Sequence, residues 1–370
     1  MIIGVPKEIK DNENRIGITP AGVDLLVQGG HKVLVQKDGG LGSGITNEDY
    51  AHAGAEIVED PKDVWAKAEM IIKVKEPQPS EYELIQEHHI IFTYFHFAAS
   101  LELTKAMMER KAKCVAYETV KNDKGELPLL TPMSEIAGRL AIQAGAQYLE
   151  KPHGRGILLP GVPGVAPAKV VVIGGGTVGS NAALIAAGMG AQVVILDINV
   201  ERLRYLDHIM PKNVITILSD PYRIRENLRD ADLVVGAVLI TGARAPILVP
   251  RSYLKDMKKG SVIVDVAVDQ GGCIETCRPT SISDPIFVVD DVVHYCVANM
   301  PGAVPYTSTR ALTNVTIPYA RKIADLGLEK AVREVPELAP GVNMVSGKIT
   351  HKGVADSFNL EYTPLEEVLS

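Results

Sequence analysis

Four cysteines in 370 residues are too few, and Cys114, Cys273, Cys277 and Cys296 too scattered, for a disulfide framework. Reduced thiols in a cytoplasmic protein are the expectation. Cys273 and Cys277 are four apart, with no His or Cys cluster to complete a zinc tetrahedron, so no metal is expected. No apolar run reaches the ~20 residues needed to cross a bilayer. The opening Met1-Ile-Ile-Gly-Val-Pro-Lys-Glu lacks the basic region, apolar core and cleavage site of a secretion signal, and reads as the first strand of a fold. There is no long basic run and the formal net charge is −7, which argues against a nucleic-acid partner. Internal repeats and low-complexity segments are also missing. What remains is 46% apolar and 22% charged residues of mixed sign, ordinary for a soluble globular chain with substantial cores. The length favours two domains.

The most informative stretch is Lys169-Val-Val-Val-Ile-Gly-Gly-Gly-Thr-Val-Gly179, followed by an apolar helical segment and Gln192-Val-Val-Ile-Leu-Asp197. It reads as a strand, a Gly-x-Gly-x-x-Gly turn, a helix and a second strand ending in an acid. Gly174 permits the tight turn, Gly176 lets backbone amides approach a pyrophosphate, and Gly179 lets helix and strand pack closely. Thr177 and Val178 lie within the turn, at a helix start whose amides and dipole favour phosphate charge. Asp197 follows at about the 20-residue distance at which an acid takes the ribose hydroxyls. Its carboxylate accepts from a 2′-hydroxyl and repels a 2′-phosphate, which predicts NAD rather than NADP. Arg202 and Arg204 come soon after and could hold a phosphate, although surface solvation also explains them.

Short apolar strands alternate with helical patterns over the first ~130 residues, as in an α/β domain. Strands are expected at Ile2–Val5, Lys32–Gln36, Met70–Val74, His89–Phe95 and Lys113–Ala116. Helices are expected at Thr19–Gly29, Thr46–Ala53, Pro61–Ala68, Ser80–Glu87 and Ser100–Arg110, followed by a long one at Met133–Glu150. From Ala168 to about Met300 a second series of six strands fits a doubly wound sheet. Then comes Pro305–Gly327, mostly helix but interrupted at Pro318, and a polar tail. That tail holds too few elements for a third domain. The expected fold is therefore α/β with two Rossmann-like doubly wound domains. A dinucleotide domain over 129–304 is inserted into a discontinuous substrate domain formed by 1–128 and 305–370.

In open α/β sheets, ligands sit beyond the carboxyl ends of the strands. Lys75 and His96 each follow an expected strand of the first domain, on what should be one rim. Arg15 lies in the loop after the first strand, on the same rim, where a guanidinium could grip a carboxylate. Read singly, each has a plainer account: a snorkelling lysine, a satisfied core histidine, a solvated loop arginine. In the second domain Asp265 and Asp269 close a strand, and Asp269, just before Gly271-Gly272, lies outside its carboxyl end. Asp269 is the better candidate for chemistry, and Asp265 the better one for local hydrogen bonds.

The segment Gly4-Val-Pro-Lys-Glu-Ile-Lys-Asp-Asn-Glu-Asn-Arg-Ile-Gly-Ile-Thr-Pro20 resembles the amino-terminal motif of the alanine dehydrogenases, shared with the NAD-binding part of proton-translocating transhydrogenase. Lys73–Pro77, Thr93–Ala98, Pro132–Gly138, the Leu159-Pro-Gly-Val-Pro-Gly-Val stretch, Val264–Glu275 and Asn299–Pro305 match as well. Ile16-Gly17 stands where many relatives have valine and alanine, a packing change only. The resemblance implies NAD-dependent, reversible oxidative deamination of L-alanine to pyruvate and ammonium, in a homo-hexamer. It further implies that Arg15 and Lys75 hold the substrate, that His96 is the acid/base, and that Asp269 assists. Ser134, the Gly174–Gly179 turn, Asp197, Arg202, Ser219, Leu239 and Asn299 are the implied NAD contacts. Two other readings stay open: a saccharopine-type or other amino-acid dehydrogenase, and a non-catalytic NAD-binding subunit like that of the transhydrogenase.

Overall fold

The fold is described from a computed structural model, for residues 1–238, 245–268 and 271–369. The chain divides into two compact units, one formed by Met1–Met133 with Val304–Ser370, the other by Ser134–Ala303.

The first unit opens β1 (Ile2–Val5), α1 (Pro20–Gln28), β2 (Lys32–Gln36), α2 (Asn47–His52), β3 (Glu56–Val58), α3 (Pro61–Lys67) and β4 (Met70–Ile72). It continues with β5 (Ile90–Thr93), α4 (Leu101–Arg110) and β6 (Lys113–Ala116). Helix starts follow local chemistry. Thr19 caps α1 by accepting from the Gly22 amide, Thr46 and Asp49 close a capping box on α2, and Ser100 accepts from Leu103 at α4. Strands β4 and β5 are buried at every residue, as parallel strands covered on both faces must be.

Next, α5 (Thr131–Tyr148) leads into the second unit: β7 (Lys169–Ile173), α6 (Thr177–Gly188), β8 (Gln192–Asp197), α7 (Val200–Ile209), β9 (Val214–Leu218) and α8 (Pro221–Leu228). Strands β10 (Leu233–Gly236), β11 (Val262–Asp265), β12 (Ile286–Val289) and β13 (Val292–Tyr295) complete it. Its core joins Val171, Ile173, Leu196, Val234 and Ile263. The chain returns to the first unit through α9 (Pro305–Leu326), α10 (Leu328–Glu334), β14 (Val342–Val345), β15 (Lys348–Ile349) and α11 (Lys352–Phe358).

Among the described residues the first sheet runs β15-β14-β6-β5-β4-β1-β2-β3 and the second β12-β13-β11-β10-β7-β8-β9. In both, strand order reverses next to the first strand of the unit, and the strands flanking that point are parallel. This is the dinucleotide-fold order, and it places a switch point between β1 and β4 and another between β7 and β10. Strand β14 pairs antiparallel with β6, so the returning tail extends the first sheet.

Four expectations change. Ser80–Glu87 is not an α-helix; a short 3₁₀ helix spans Pro79–Leu84, with Glu81 closing back on the Gln78 amide. Strand β3 was missed, being three residues long with one apolar residue inside and one at its end. Strand β13 was also missed, and β12 pairs with it as an antiparallel hairpin. Asp290 and Asp291, both at positive φ, form the two-residue turn such hairpins favour. Finally, α9 runs through Pro318 without a break. Its buried stripe continues on both sides of the proline, through Leu312, Thr313 and Thr316 to Ala320 and Ile323, so packing outweighs the lost hydrogen bond.

Candidate functional site

In the first unit, the segment after β1 carries Glu8, Glu13 and Arg15, and the segment after β4 carries Lys73 and Lys75. Both leave the carboxyl ends of the strands that flank the switch point. Arg15 is buried, at 2% exposure, and does not lie in solvent. Its Nε donates to Glu13 Oε1 at 2.7 Å, its Nη2 to Glu13 Oε2 at 2.5 Å, and its Nη1 lies 3.2 Å from the Met133 sulfur. Burial works against the Arg15 charge, but the bidentate Glu13 carboxylate outweighs it and holds the guanidinium above its ordinary value.

Lys75 is half-buried, and its ammonium lies within reach of the charges of Arg15 and Glu13. Burial, then Arg15 and Lys10, push its amine below the usual lysine range. Behind it sits a buried ionic group that sequence reasoning did not single out. Lys73, with no exposed surface, lies 3.1 Å from both Glu8 Oε2 and Glu81 Oε1. Glu8 Oε1 accepts from the backbone amides of Val74 at 2.6 Å and Lys75 at 3.2 Å. The only local signal for this group was a charged residue within the apolar run of β4 and its extension.

His96 follows β5 and is half-buried, with φ 50°, a left-handed conformation uncommon for a residue with a Cβ. Glu118 stabilises that backbone, accepting from the His96 amide at 2.6 Å and the Phe95 amide at 3.3 Å. The imidazole stacks on Tyr94, centroids 5.7 Å apart and planes 6° from parallel. Tyr94 also interacts with the Arg15 charge, and its hydroxyl donates to the Leu129 carbonyl at 2.6 Å. Burial raises the Tyr94 phenol well above the usual range, so it stays neutral. Arg15, Lys75 and His96 thus belong to one connected group of side chains at strand ends. Glu8, Glu13, Tyr94 and Glu118 are the supporting residues missed from sequence: Glu8, Tyr94 and Glu118 act on partners distant along the chain, and Glu13, although only two residues from Arg15, stands in a polar loop where nothing local marks the pair as buried.

In the second unit, Gly174 has φ 101° and Gly179 packs so closely that a Cβ there would stand 1.8 Å from the Gly174 carbonyl oxygen. Around Gly176, by contrast, nothing among the described residues comes within 4 Å of an added Cβ. The turn therefore has one face sealed and one open, with Thr177 and Val178 beginning α6 beside the opening. Asp197 Oδ2 accepts from the Gly175 amide at 2.7 Å and Oδ1 from the Asn199 amide at 2.8 Å. Each oxygen keeps a second lone pair for a hydroxyl. Arg202 Nε donates to the Gly175 carbonyl at 2.5 Å, and its guanidinium lies 5.0 Å from the Tyr205 ring, so it borders this turn. Ser219 donates its amide to the Asp197 carbonyl at 2.9 Å. Ser134 lies on α5 one turn before Gly138, where α5 meets the first turn of α6; a Cβ on Gly138 would lie 2.2 Å from the Val178 carbonyl oxygen. Asn299, at φ 56°, begins the short 3₁₀ turn Met300–Ala303. These groups fit a dinucleotide: open backbone at a helix start for the pyrophosphate, and an acceptor carboxylate for the ribose. Leu239 and Asp269 lie outside the described residues. Asp265 is spent locally, accepting from the amides of Ala267, Cys273 and Ile274, while burial raises its carboxyl to about 6.

Comparison with known proteins bears on both halves. Residues 4–137 match the alanine dehydrogenase/PNT N-terminal domain and residues 141–352 the C-terminal domain. The chain belongs to the alanine dehydrogenase/PNT family. Among its relatives, alanine dehydrogenase of Methanococcus maripaludis is 57% identical and that of Bacillus subtilis 54%, over 100% of this chain and 100% and 98% of theirs. A solved L-alanine dehydrogenase superposes with TM-score 0.94 at 52% identity, covering 97% of this chain and 99% of that one. A transhydrogenase from Sinorhizobium meliloti shares the fold, with TM-score 0.79 at 23% identity. No described helix is long and apolar enough to cross a membrane, and no metal-ligand cluster occurs among the described residues.

Proposed function

We propose that this protein is an NAD-dependent L-alanine dehydrogenase: L-alanine, NAD⁺ and water give pyruvate, ammonium, NADH and a proton, reversibly. The observation that carries the reading is the convergence of Arg15 and Lys75 at the switch point of the first sheet, in a family of this name. The first unit is the substrate domain and the second the NAD domain. Gly174, Gly176, Thr177, Val178 and Gly179 would take the pyrophosphate, Asp197 the ribose, and Ser134, Arg202, Ser219, Leu239 and Asn299 the remainder. When bound, NAD⁺ supplies the hydride acceptor.

The chain's own residues do the rest. Arg15, fixed by Glu13, turns Nη1 to the substrate carboxylate, which is a far better acceptor than the Met133 thioether. Anchoring the carboxylate fixes the Cα–H bond in attack geometry and removes much of the entropic barrier. Loss of hydride from the uncharged amine leaves an iminium on the substrate. His96 takes a proton from the water that adds to the iminium carbon and returns one to the departing ammonia. Lys75 carries its positive charge to the oxygen that becomes the pyruvate carbonyl. Asp269 would assist beside His96. The reading extends to a cytoplasmic homo-hexamer, consistent with free thiols and with the exposed Leu158, Val162 and Val165 along the segment before β7.

The test is NADH absorbance on mixing the purified chain with NAD⁺ and L-alanine, with D-alanine, L-glutamate and NADP⁺ as controls. A rise with L-alanine and NAD⁺ alone supports the reading. Demonstrable NAD binding with no rise would replace it with a different amino-acid substrate or a non-catalytic subunit.

A further inference from the structure

Lys75 must be held at a fixed place to meet a substrate oxygen, and it stands just beyond β4, where its backbone is held from two sides. On the carbonyl side the β5 segment continues the sheet, the Tyr94 amide donating to the Val74 carbonyl at 3.3 Å and the Thr93 hydroxyl to the Lys75 carbonyl at 2.9 Å; the group that holds the amide side is Glu8. One carboxylate oxygen accepts from the consecutive amides of Val74 and Lys75, at 2.6 and 3.2 Å, and the other lies 3.1 Å from Lys73 Nζ. Glu8 and Lys73 are buried, and Lys73 is shared with Glu81, itself fastened to the Gln78 amide at 2.8 Å. Donors thus face Glu8 on both sides: two peptide N–H groups and an ammonium. Only a group with acceptors at both ends satisfies them. A glutamine in its place would turn an NH₂ toward one donor set or the other, leaving buried donors face to face.

We propose that Glu8 is a positioning residue for the reaction, acting through the Val74–Lys75 backbone to set the place of the Lys75 ammonium, with Lys73 and Glu81 holding the carboxylate in register. The proposal rests on the reading of Lys75 as a substrate-binding group. The loop that carries Arg15 begins at β1, so Glu8 also ties the two strands of the switch point together beyond their last ladder bonds. A buried ion pair is weak evidence of stability in itself, because desolvation opposes it. Its geometry here is that of a clamp on one peptide.

The experiment compares two double variants with the same charges removed: Glu8→Gln/Lys73→Met and Glu8→Met/Lys73→Met. With the ammonium gone, the glutamine can turn its oxygen to the Val74 and Lys75 amides, while methionine has no comparable acceptor. Lys75 acylation by acetic anhydride is followed by peptide mass spectrometry on the cofactor-free protein, with exposed Lys32 as the internal reference. KM for L-alanine and the dissociation constant for NADH are measured in parallel. The glutamine double variant is expected to match the wild type in Lys75 labelling and in KM within about threefold. The methionine double variant should label several-fold faster at Lys75 and show a KM for L-alanine about tenfold higher, the loss of roughly one good hydrogen bond, with NADH affinity unchanged. Two double variants indistinguishable in labelling would overturn the proposal, whatever their thermal stability. If the wild type turned over no alanine, the proposed activity would fall while the labelling comparison still decided the role of Glu8.

Discussion

Lys75 carries its charge where the surroundings disfavour it, and that sets a pH dependence. Burial, Arg15 and Lys10 lower its pKa, and the proposed reaction needs it protonated. Activity should therefore fall as pH rises through a value below the ordinary lysine range. Lys10→Gln removes a neighbouring cation, which makes protonation easier and moves that limb to higher pH; a pH profile of kcat/KM that stays in place or moves down would contradict the assignment. His96 makes a separate prediction. With His96→Ala, kcat should drop by about 10²–10⁴, the usual worth of a general acid/base, while NADH fluorescence titration shows binding intact. Near-normal turnover in that variant would remove His96 from the chemistry.

At the scale of the element, the glycine turn separates folding from binding. A methyl group at Gly176 meets nothing among the described residues, so Gly176→Ala should keep the wild-type melting temperature yet weaken NADH binding, because the methyl occupies the space left for a pyrophosphate. At Gly179 the same methyl would stand 1.8 Å from the Gly174 carbonyl oxygen, so Gly179→Ala should lower both melting temperature and NADH affinity as α6 is forced off β7. Calorimetry and fluorescence titration on the pair check this, and equal loss of stability in both would contradict it. Elements like these were legible because their patterns are local. Strands β1, β2 and β6 are short apolar runs bounded by turn residues, and their limits could be read directly. Strand β3 and the 3₁₀ turn at Pro79–Leu84 were not, since both depend on neighbours. Helix α9 reads as two pieces until the stripe that packs across Pro318 is known.

For the whole molecule, the alternation of strands and helices fixed the fold class, and two successive series implied two doubly wound sheets. The polar tail, too poor in elements for a domain of its own, joined the first sheet beside β6. Less visible were the charges that pair across the fold. Glu8 and Lys73, or His96 and Glu118, are far apart in sequence, and nothing local predicts that a carboxylate will hold a backbone amide. Assembly is the other global question. The proposed hexamer should appear as a six-chain particle in light scattering, and Val162→Asp/Val165→Asp should reduce it if the exposed segment before β7 is covered by a neighbour; a lasting monomer in the unaltered protein would rule the hexamer out.

The central claim is that this single chain moves the α-hydride of L-alanine to NAD⁺. The most direct measurement uses L-[2-²H]alanine with NAD⁺ and follows the reduced cofactor by mass spectrometry, alongside pyruvate and ammonium. One deuterium in the NADH, with pyruvate and ammonium formed in equal amount to it, is the predicted result. Absence of reduced cofactor, or NADH without the label, would contradict the account.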